Sequence, residues 1–184
     1  MNKLLMVFTK NNIDILNTIS SQDNLYIREI AEKTSVSPAS VHDAVKLFKS
    51  IGFVNEKTVK NRKLVSLIKH DIILRKIKSL INIYELTSNP AFSELSEHGI
   101  VGVYGSFSSG DDLPESDIDM WLYPKKELSM VSLKPIVRKI EKCLGREIRL
   151  MLLTKEKLGN LSRSDPEFYL RLKLTSVYSG DVFD

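Results

Sequence analysis

The stretch Val103–Tyr123 constrains the fold of this chain more than any other part of the sequence. It consists of an apolar segment, a glycine-serine turn, a polar loop and a second apolar segment, which predicts two strands joined by a loop. The second strand is expected to open with Asp117 and Asp119, whose side chains share a face because side chains alternate along a strand. Two carboxylates two strand rises apart, roughly 7 Å, can hold hard cations through oxygen.

Gly105 and Ser106 close the first of these strands and predict the start of a short helix. A glycine lets the backbone approach a ligand closely, and free N–H groups at a helix start attract phosphate. A phosphate cradle beside paired carboxylates is what phosphoryl or nucleotidyl transfer needs. The alternative interpretation is an ordinary strand-turn-strand with a solvated acidic loop.

This motif resembles that of the nucleotidyltransferase superfamily related to DNA polymerase beta, and in particular its small members, the minimal nucleotidyltransferases. The residues that carry the resemblance are Gly105, Ser106, Gly110, Ser116, Asp117, Ile118 and Asp119. The resemblance implies that Asp117 and Asp119 are catalytic residues that hold Mg²⁺ or Mn²⁺. It also implies that Gly105, Ser106 and Ser116 bind a nucleoside triphosphate, the source of a nucleoside monophosphate, with AMP as the leading candidate, for transfer to a hydroxyl acceptor.

Two positions depart from the family pattern. Ser109 stands where the family usually has an arginine before the second glycine, and Arg149 stands where it has a third carboxylate on the following strand. Glu147, two residues earlier on the same face, is the candidate substitute as a metal ligand. Arg149 either holds a phosphate or is a surface cation paired with Glu147. The enzyme assignment therefore competes with a second hypothesis, a DNA-binding transcriptional regulator whose nucleotidyltransferase-like domain senses a nucleotide without turnover.

The positive charge of the chain is concentrated in its N-terminal part. The whole chain carries a net charge of +4, and residues 1–70 hold 11 Lys or Arg against 6 Asp or Glu. This asymmetry predicts a polyanionic partner for that part of the chain.

The pattern of residues 11–67 is helix, helix, short turn, helix and then two strands around a basic tip. Ser37 and Pro38 predict the start of the third helix, which ends near Gly52. The order resembles the winged helix-turn-helix of transcription regulators, which implies binding of double-stranded DNA with the third helix in the major groove. The predicted DNA contacts are Ser40, His42, Lys46 and Lys49 on that helix and Lys57, Lys60, Arg62 and Lys63 on the wing. The alternative is a small helical interaction module whose lysines are solvated.

Residues 70–86 have the pattern of a long helix with a wide apolar stripe. This stripe predicts either packing between two domains or a homodimer seam. Asn89-Pro90 ends the pattern, so we predict a winged helix-turn-helix domain at 1–69, a connector at 70–90 and a nucleotidyltransferase-like domain at 91–184. Strand-helix alternation after residue 91 predicts a mixed sheet flanked by helices, and hence a two-domain fold of the α+β or α/β class.

Cys143 is the one cysteine, so intramolecular disulfides are excluded, and we expect it to be a small core residue. No stretch has the length of apolar residues that spans a membrane, and no secretory signal is evident, so a cytoplasmic protein without a membrane partner is expected. Small relatives in the minimal nucleotidyltransferase family act as antitoxins that adenylylate a partner protein, which makes a protein acceptor one candidate.

Overall fold

The structure is a computed structural model that describes residues 3–22, 24–60, 62–68 and 71–183. The chain divides into two compact units, 1–74 and 75–184. Residue 70, the predicted start of the connector, lies outside the described residues. The helix that follows, Ile72–Thr87, belongs to the second unit from Arg75 onward, so most of the expected connector is part of the C-terminal unit.

The first unit has a helical half followed by an antiparallel hairpin. A 3-10 helix at Lys3–Phe8 precedes α1 (Lys10–Ser21), β1 (Leu25–Tyr26), α2 (Ile27–Thr34), α3 (Pro38–Ser50), β2 (Val54–Val59) and β3 (Arg62–Leu67). The strands form a sheet in the order β1-β3-β2, with both pairings antiparallel. The apolar faces of the helices and of β3 are buried, and the buried set includes Ile15, Leu16, Ile30, Val41, Val45, Phe48 and Val65.

Local capping explains where α2 and α3 begin. The Ser37 hydroxyl accepts a hydrogen bond of 3.2 Å from the Ser40 N–H, and Pro38 fills the first turn, which confirms the predicted start of α3. The backbone of Tyr26 pairs with Leu64 of β3, and the Glu29 carboxylate accepts the Tyr26 N–H at 2.7 Å, so Tyr26 directly precedes α2.

The second unit is a four-stranded mixed sheet flanked by helices, which confirms the predicted fold class. Its elements after α4 (Ile72–Thr87) are α5 (Pro90–Glu97), β4 (Gly99–Tyr104), α6 (Gly105–Ser109), β5 (Ile118–Pro124), α7 (Met130–Leu144), β6 (Ile148–Leu152), α8 (Lys155–Ser164), α9 (Pro166–Thr175) and β7 (Val177–Tyr178). The strand order is β6-β5-β4-β7. The β5–β6 pair is parallel and joined by α7, whereas β4 is antiparallel to both of its neighbours.

The last helix, α9, ends at Thr175 because Val177 and Tyr178 pair with Val103 and Gly102 of β4. Cys143 was expected in the core, but it is exposed. Across the ranges that the structure describes, no helix combines the length and apolar character needed to cross a membrane.

The two faces of β5 pack against different hydrophobic clusters. Ile118, Met120 and Leu122 point into a cluster with residues of α5 and α7. Trp121 points the other way, into a cluster with Leu153, Leu172, Val182 and Phe183. A Cβ atom at Gly102 would lie 2.1 Å from the Trp121 ring, so β4 needs a glycine there to accommodate the indole. Asp119 lies on the same face as Trp121 because the two residues are two positions apart on the strand.

Candidate functional site

Two acidic residues lie at the polar end of the face that carries Trp121. Asp119 is the second residue of β5, and Asp117 directly precedes the strand. The backbone there is fixed, because the Ile118 N–H donates a hydrogen bond of 2.9 Å to the Glu147 carbonyl. Both carboxylates are partly buried and stay accessible to a ligand.

Gly105 places the backbone of the glycine-serine turn close to the Asp119 carboxylate. Tyr104 is the register partner of Asp119 across the β4–β5 pair, so the chain turns into α6 directly beside that acid. Gly105 has a φ of +76°, and a Cβ atom there would lie 2.7 Å from Asp119 Oδ2. Only glycine gives this approach without a clash, and it leaves the Gly105 backbone open beside the acid. Ser106 follows as the second residue of α6, and its side chain is partly buried.

The surroundings of Asp119 disfavour its ionised form. Burial raises the pKa of its carboxyl, and Asp117 raises it further, whereas Arg149 and Arg171 oppose the shift. Burial likewise raises the pKa of the Tyr104 phenol, with a second contribution from the charge of Asp119. A cation bound at this site would stabilise the ionised form of Asp119, because its charge would compensate for the hydration that burial removes.

Arg149 reaches Asp117 from the neighbouring strand. The parallel β5–β6 register places it beside Asp119, and its guanidinium forms an ion pair with Asp117. The Arg149 side chain is 69% exposed, whereas that of Asp117 is 24% exposed. The sequence offered two roles for Arg149, a phosphate ligand or a partner of Glu147. The acid that Arg149 pairs with here is Asp117.

Glu147 directly precedes β6, and its side chain is exposed. Within the described ranges, no three His, Cys, Asp or Glu side chains come close enough together to hold a metal ion. The donor set that the structure brings together beside Gly105 is therefore the pair Asp117 and Asp119. Two carboxylates fit one Mg²⁺ ion that is also held by substrate phosphates, which is how proteins usually bind this ion. The assignment of Glu147 as a further ligand stays a prediction.

A buried polar network holds the loop between Ser109 and Asp117. Asp112 is 6% exposed and forms an ion pair of 2.7 Å with Arg146, which is itself 13% exposed. The Asn82 amide donates to the Asp112 carboxylate at 2.8 Å, and Lys78 Nζ donates to the Asp112 carbonyl at 2.9 Å. The network therefore fixes the loop to α4, the helix that the sequence indicated only as a connector.

Arg146 also sets the backbone that leads into the first acid. Its Nε donates a hydrogen bond of 2.8 Å to the Ser116 carbonyl, and its guanidinium lies 4.9 Å from the centre of the Phe107 ring. The Ser116 hydroxyl accepts a hydrogen bond of 3.0 Å from the Leu113 N–H, so this side chain shapes the loop. Its predicted role in nucleotide binding stays a prediction. No sequence signal singles out Arg146, because a buried arginine looks like a solvated one in a single sequence.

A second cation reaches the site from α9. The Arg171 guanidinium lies 5.0 Å from the centre of the Phe168 ring, and that ring packs edge-on against Tyr104 with centroids 6.1 Å apart. The charge of Arg171 acts on both Asp119 and Tyr104. Sequence reasoning missed this residue because α9 is far from the motif in the chain.

The predicted DNA-binding residues of the first unit lie on α3 and on the β2–β3 hairpin. Those that are exposed are Ser40, Lys46, Lys49, Lys57, Lys60, Arg62 and Lys63, and His42 is partly buried. Two of the lysines already have an acidic partner. Glu56 of β2 forms ion pairs with Lys49 of α3 at 2.7 Å and with Lys63 of β3 at 3.4 Å. The hydrogen bond from Lys49 is the main cause that lowers the pKa of Glu56.

The first unit also has a basic cleft that the sequence did not indicate. The cleft has a volume of about 450 Å³. It is lined by Tyr26, Ile27, Arg28, Glu29, Arg62 and Lys63. The Arg62 guanidinium lies 5.9 Å from the centre of the Tyr26 ring. Arg28 thus joins two wing cations that had been predicted to contact phosphate.

Comparison with known families agrees with both units. Residues 89–173 match the family model described as a nucleotidyltransferase domain. Residues 8–55 match the family model described as a winged helix-turn-helix DNA-binding domain. No curated protein matches the chain at a significant level.

Proposed function

Because the chain joins a winged helix-turn-helix domain to a nucleotidyltransferase domain, we propose that it is a metal-dependent nucleotidyltransferase coupled to a DNA-binding module. Its C-terminal unit transfers a nucleoside monophosphate, with AMP as the leading candidate, from a nucleoside triphosphate to a hydroxyl acceptor. A hydroxyl of a partner protein is one candidate acceptor.

The observation that carries this proposal is the contact between Gly105 and Asp119. A Cβ atom at Gly105 would lie 2.7 Å from Asp119 Oδ2, so the backbone of the glycine-serine turn lies directly beside a carboxylate. A ligand whose phosphate meets that backbone also comes within reach of Asp117 and Asp119. This arrangement supports binding of a triphosphate and its counter-ion as one unit.

In the proposed reaction, the acceptor oxygen forms a bond to the α-phosphorus while the bond from that phosphorus to the bridging oxygen of pyrophosphate breaks. The acceptor proton passes to solvent, and pyrophosphate leaves. Gly105 and Ser106 contact the phosphates, and Ser116 holds the loop beside them. Asp117 and Asp119, with Glu147 as a further candidate, would hold Mg²⁺ or Mn²⁺. When bound, such an ion would neutralise phosphate charge as pyrophosphate leaves.

The test is a titration of the full chain with ATP and the other triphosphates, with and without Mg²⁺, combined with an assay for pyrophosphate release. The same measurements are made on the Asp117→Asn, Asp119→Asn double variant. Metal-dependent binding that the double variant loses, together with pyrophosphate release, supports a transferase. Absence of triphosphate binding under every condition rejects the nucleotide site.

A second candidate function is a transcriptional regulator whose C-terminal unit binds a nucleotide without turnover. The specific observation in its favour is Arg149, which stands beside the carboxylate pair where the family pattern has a third acid. In two-metal sites the second ion activates the attacking group, so a site short of one acid favours binding over transfer. Triphosphate binding without pyrophosphate release, in the presence of candidate protein acceptors, supports this second function.

We also propose that the N-terminal unit binds double-stranded DNA through α3 and the wing, and that the protein is cytoplasmic. The support is the family match at residues 8–55 and the exposed basic side chains on both elements. Phosphate contacts of this kind make affinity fall steeply with salt. Fluorescence anisotropy with a mixed-sequence duplex over a range of NaCl concentrations tests it, and binding that does not depend on salt counts against it.

A homodimer through α4, the helix that the sequence predicted at 70–86, is also part of the proposal. The support is the exposed apolar pair Leu80 and Tyr84 on α4, four residues apart and hence on one side of the helix. Light scattering on the wild-type chain and on a Leu80→Glu, Tyr84→Glu variant tests this interface. A wild-type chain that is monomeric at all concentrations removes the dimer from the proposal.

A further inference from the structure

The carboxylate pair has a cation of its own in the free protein. We propose that Arg149 stays paired with Asp117 until a polyphosphate binds the guanidinium instead. The site therefore takes up a divalent cation only together with a nucleoside triphosphate. The identity of the polyphosphate rests on the proposed function. The competition between Arg149 and a divalent cation does not, because it follows from the contacts of the free protein.

The geometry of the pair makes Arg149 the movable partner. Asp117 is anchored at the start of β5, where the Ile118 N–H is bonded to the Glu147 carbonyl at 2.9 Å. Arg149 reaches it from β6 with a side chain that is 69% exposed, compared with 24% for Asp117. A long, exposed side chain can turn to a new partner without disturbing the sheet, whereas the carboxylate cannot.

The charges near the site favour such an exchange. Asp117 and Asp119 supply two negative charges, and Arg149 supplies a positive charge at the place where a cation would otherwise be held. Arg171 adds a second positive influence on Asp119. A free divalent ion must therefore displace the Arg149 guanidinium, which gains no new partner in return. The ion also binds weakly because the negative charge of the two acids is already largely neutralised.

A triphosphate changes this balance because it offers the guanidinium a better partner. Arginine binds phosphate oxygens through two parallel N–H groups, so the contact with Asp117 is exchanged for another and not simply lost. Asp117 is then free for the ion that the triphosphate carries. Arg149 thus makes cation binding conditional on the nucleotide, and it excludes free ions from the site.

The first experiment measures Mn²⁺ binding to the full chain without nucleotide, by electron paramagnetic resonance. It compares the wild type with Arg149→Asp, which places an acid where the family pattern has one, and with Arg149→Gln. Arg163→Asp is the matched control, because it makes the same charge change on an exposed arginine of α8 in the same unit. Fluorescence of Trp121, the single tryptophan, checks that each variant is folded.

We expect Arg149→Asp to bind Mn²⁺ at least about tenfold more tightly than the wild type. Arg149→Gln should gain less, and Arg163→Asp should match the wild type. If the wild type binds free Mn²⁺ as tightly as Arg149→Asp, or if Arg163→Asp gains as much, the competition at Asp117 does not exist.

The second experiment repeats the Mn²⁺ titration with ATP present. The wild type should gain Mn²⁺ affinity beyond what ATP in solution accounts for, and Arg149→Gln should show a smaller gain over its own nucleotide-free value. Equal gains in the two proteins overturn the conditional binding. If neither protein binds ATP, the proposed function fails, and the first experiment still decides whether Arg149 and a divalent cation compete.

Discussion

The backbone of Gly105 lies so close to Asp119 that a methyl group on its α-carbon would be 2.7 Å from the Oδ2 atom. This contact joins the end of β4 to the acid on β5 across an antiparallel register in which Tyr104 faces Asp119. It links the glycine-serine turn directly to the carboxylate pair, and it gives a direct test of the site.

Gly105→Ala should lower both the stability of the fold and the affinity of the site for its ligands. The positive φ of Gly105 costs an L-residue about 1–2 kcal/mol, and the added methyl must also displace the Asp119 carboxylate. We expect the free energy of unfolding to fall by at least that amount, and affinity for Mg²⁺ and ATP together to fall by at least about tenfold. Urea unfolding monitored by Trp121 fluorescence and calorimetric titration measure the two effects.

Gly145→Ala is the control for backbone strain in the same unit. Gly145 has a φ of +65°, and a Cβ atom there would meet no atom within 4 Å. It should lose similar stability through strain but keep ligand affinity. Equal loss of ligand affinity in both variants would show that the contact with Asp119 does not matter for binding.

Asp119→Asn should stabilise the protein near neutral pH. The pKa of this carboxyl is raised above its usual value of 3.8, chiefly by burial, so its ionised form is less favourable in the folded than in the unfolded chain. This unfavourable contribution appears as the pH rises through the unfolded pKa and is complete above the folded pKa. The gain from Asp119→Asn should therefore be present at pH 7 and shrink under acid conditions.

Thermal unfolding at several pH values, followed by Trp121 fluorescence, measures this effect. Asp117→Asn is the comparison, because it removes the ion pair with Arg149 and is expected to give no such gain. The prediction is contradicted if the advantage of Asp119→Asn grows as the pH falls.

Arg146→Leu should destabilise the second unit strongly. It leaves the Asp112 carboxylate, 6% exposed, without its closest cation, and loss of one member of a buried ion pair costs about 3–5 kcal/mol. Lys78 and Asn82 still contact Asp112, so we expect the lower end of that range. Urea unfolding with Trp121 fluorescence gives the value.

Lys139→Leu is the matched control, since Lys139 and Glu94 form an ion pair of 2.8 Å whose side chains are 59% and 42% exposed. Exposed pairs contribute about 1 kcal/mol or less. Similar losses for the two variants would mean that the Asp112 network does not hold the loop.

Glu56→Gln should strengthen DNA binding by the first unit. Glu56 pairs with Lys49 of α3 and Lys63 of the wing, and its removal leaves both lysines available to phosphate. Two extra phosphate contacts should steepen the slope of log affinity against log salt by about 1–2. Anisotropy titrations from low to moderate NaCl measure this slope.

Glu32→Gln, an exposed acid on α2, removes the same charge as a control and should leave the slope unchanged. Equal effects in the two variants would assign the change to net charge and not to the lysine pairs.

The pKa of Glu56 is lowered, so its contribution to stability is present above its unfolded pKa and is lost as the pH falls through the folded value.

Local sequence signals predicted most of the elements that carry the site. The start of α3 follows from Ser37 and Pro38, because a hydroxyl acceptor and a proline suit the first turn of a helix. The turn at Gly105 follows from a residue that tolerates positive φ. These signals depend on a few neighbouring residues, so they can be read without knowledge of the fold.

Partners that are distant in the chain could not be read in this way. Arg149 was predicted to stand where the family pattern has an acid, but its pairing with Asp117 depends on the parallel register of two strands separated by α7. The buried pair of Asp112 and Arg146 gave no sequence signal, because a charged residue in a polar loop is usually solvated.

The sequence by itself determined two domain types, the glycine-serine turn and the placement of Asp117 and Asp119 two residues apart in an extended segment. Covalent geometry sets these features, since the period of a strand and the freedom of a glycine act within a few residues. The tertiary structure alone decided that Arg149 contacts Asp117, that the charge of Arg171 acts on Asp119 from α9 and that Arg146 holds the loop before the two acids. The physical reason is that the packing of the whole sheet and its helices fixes strand register and burial, and no local pattern records them.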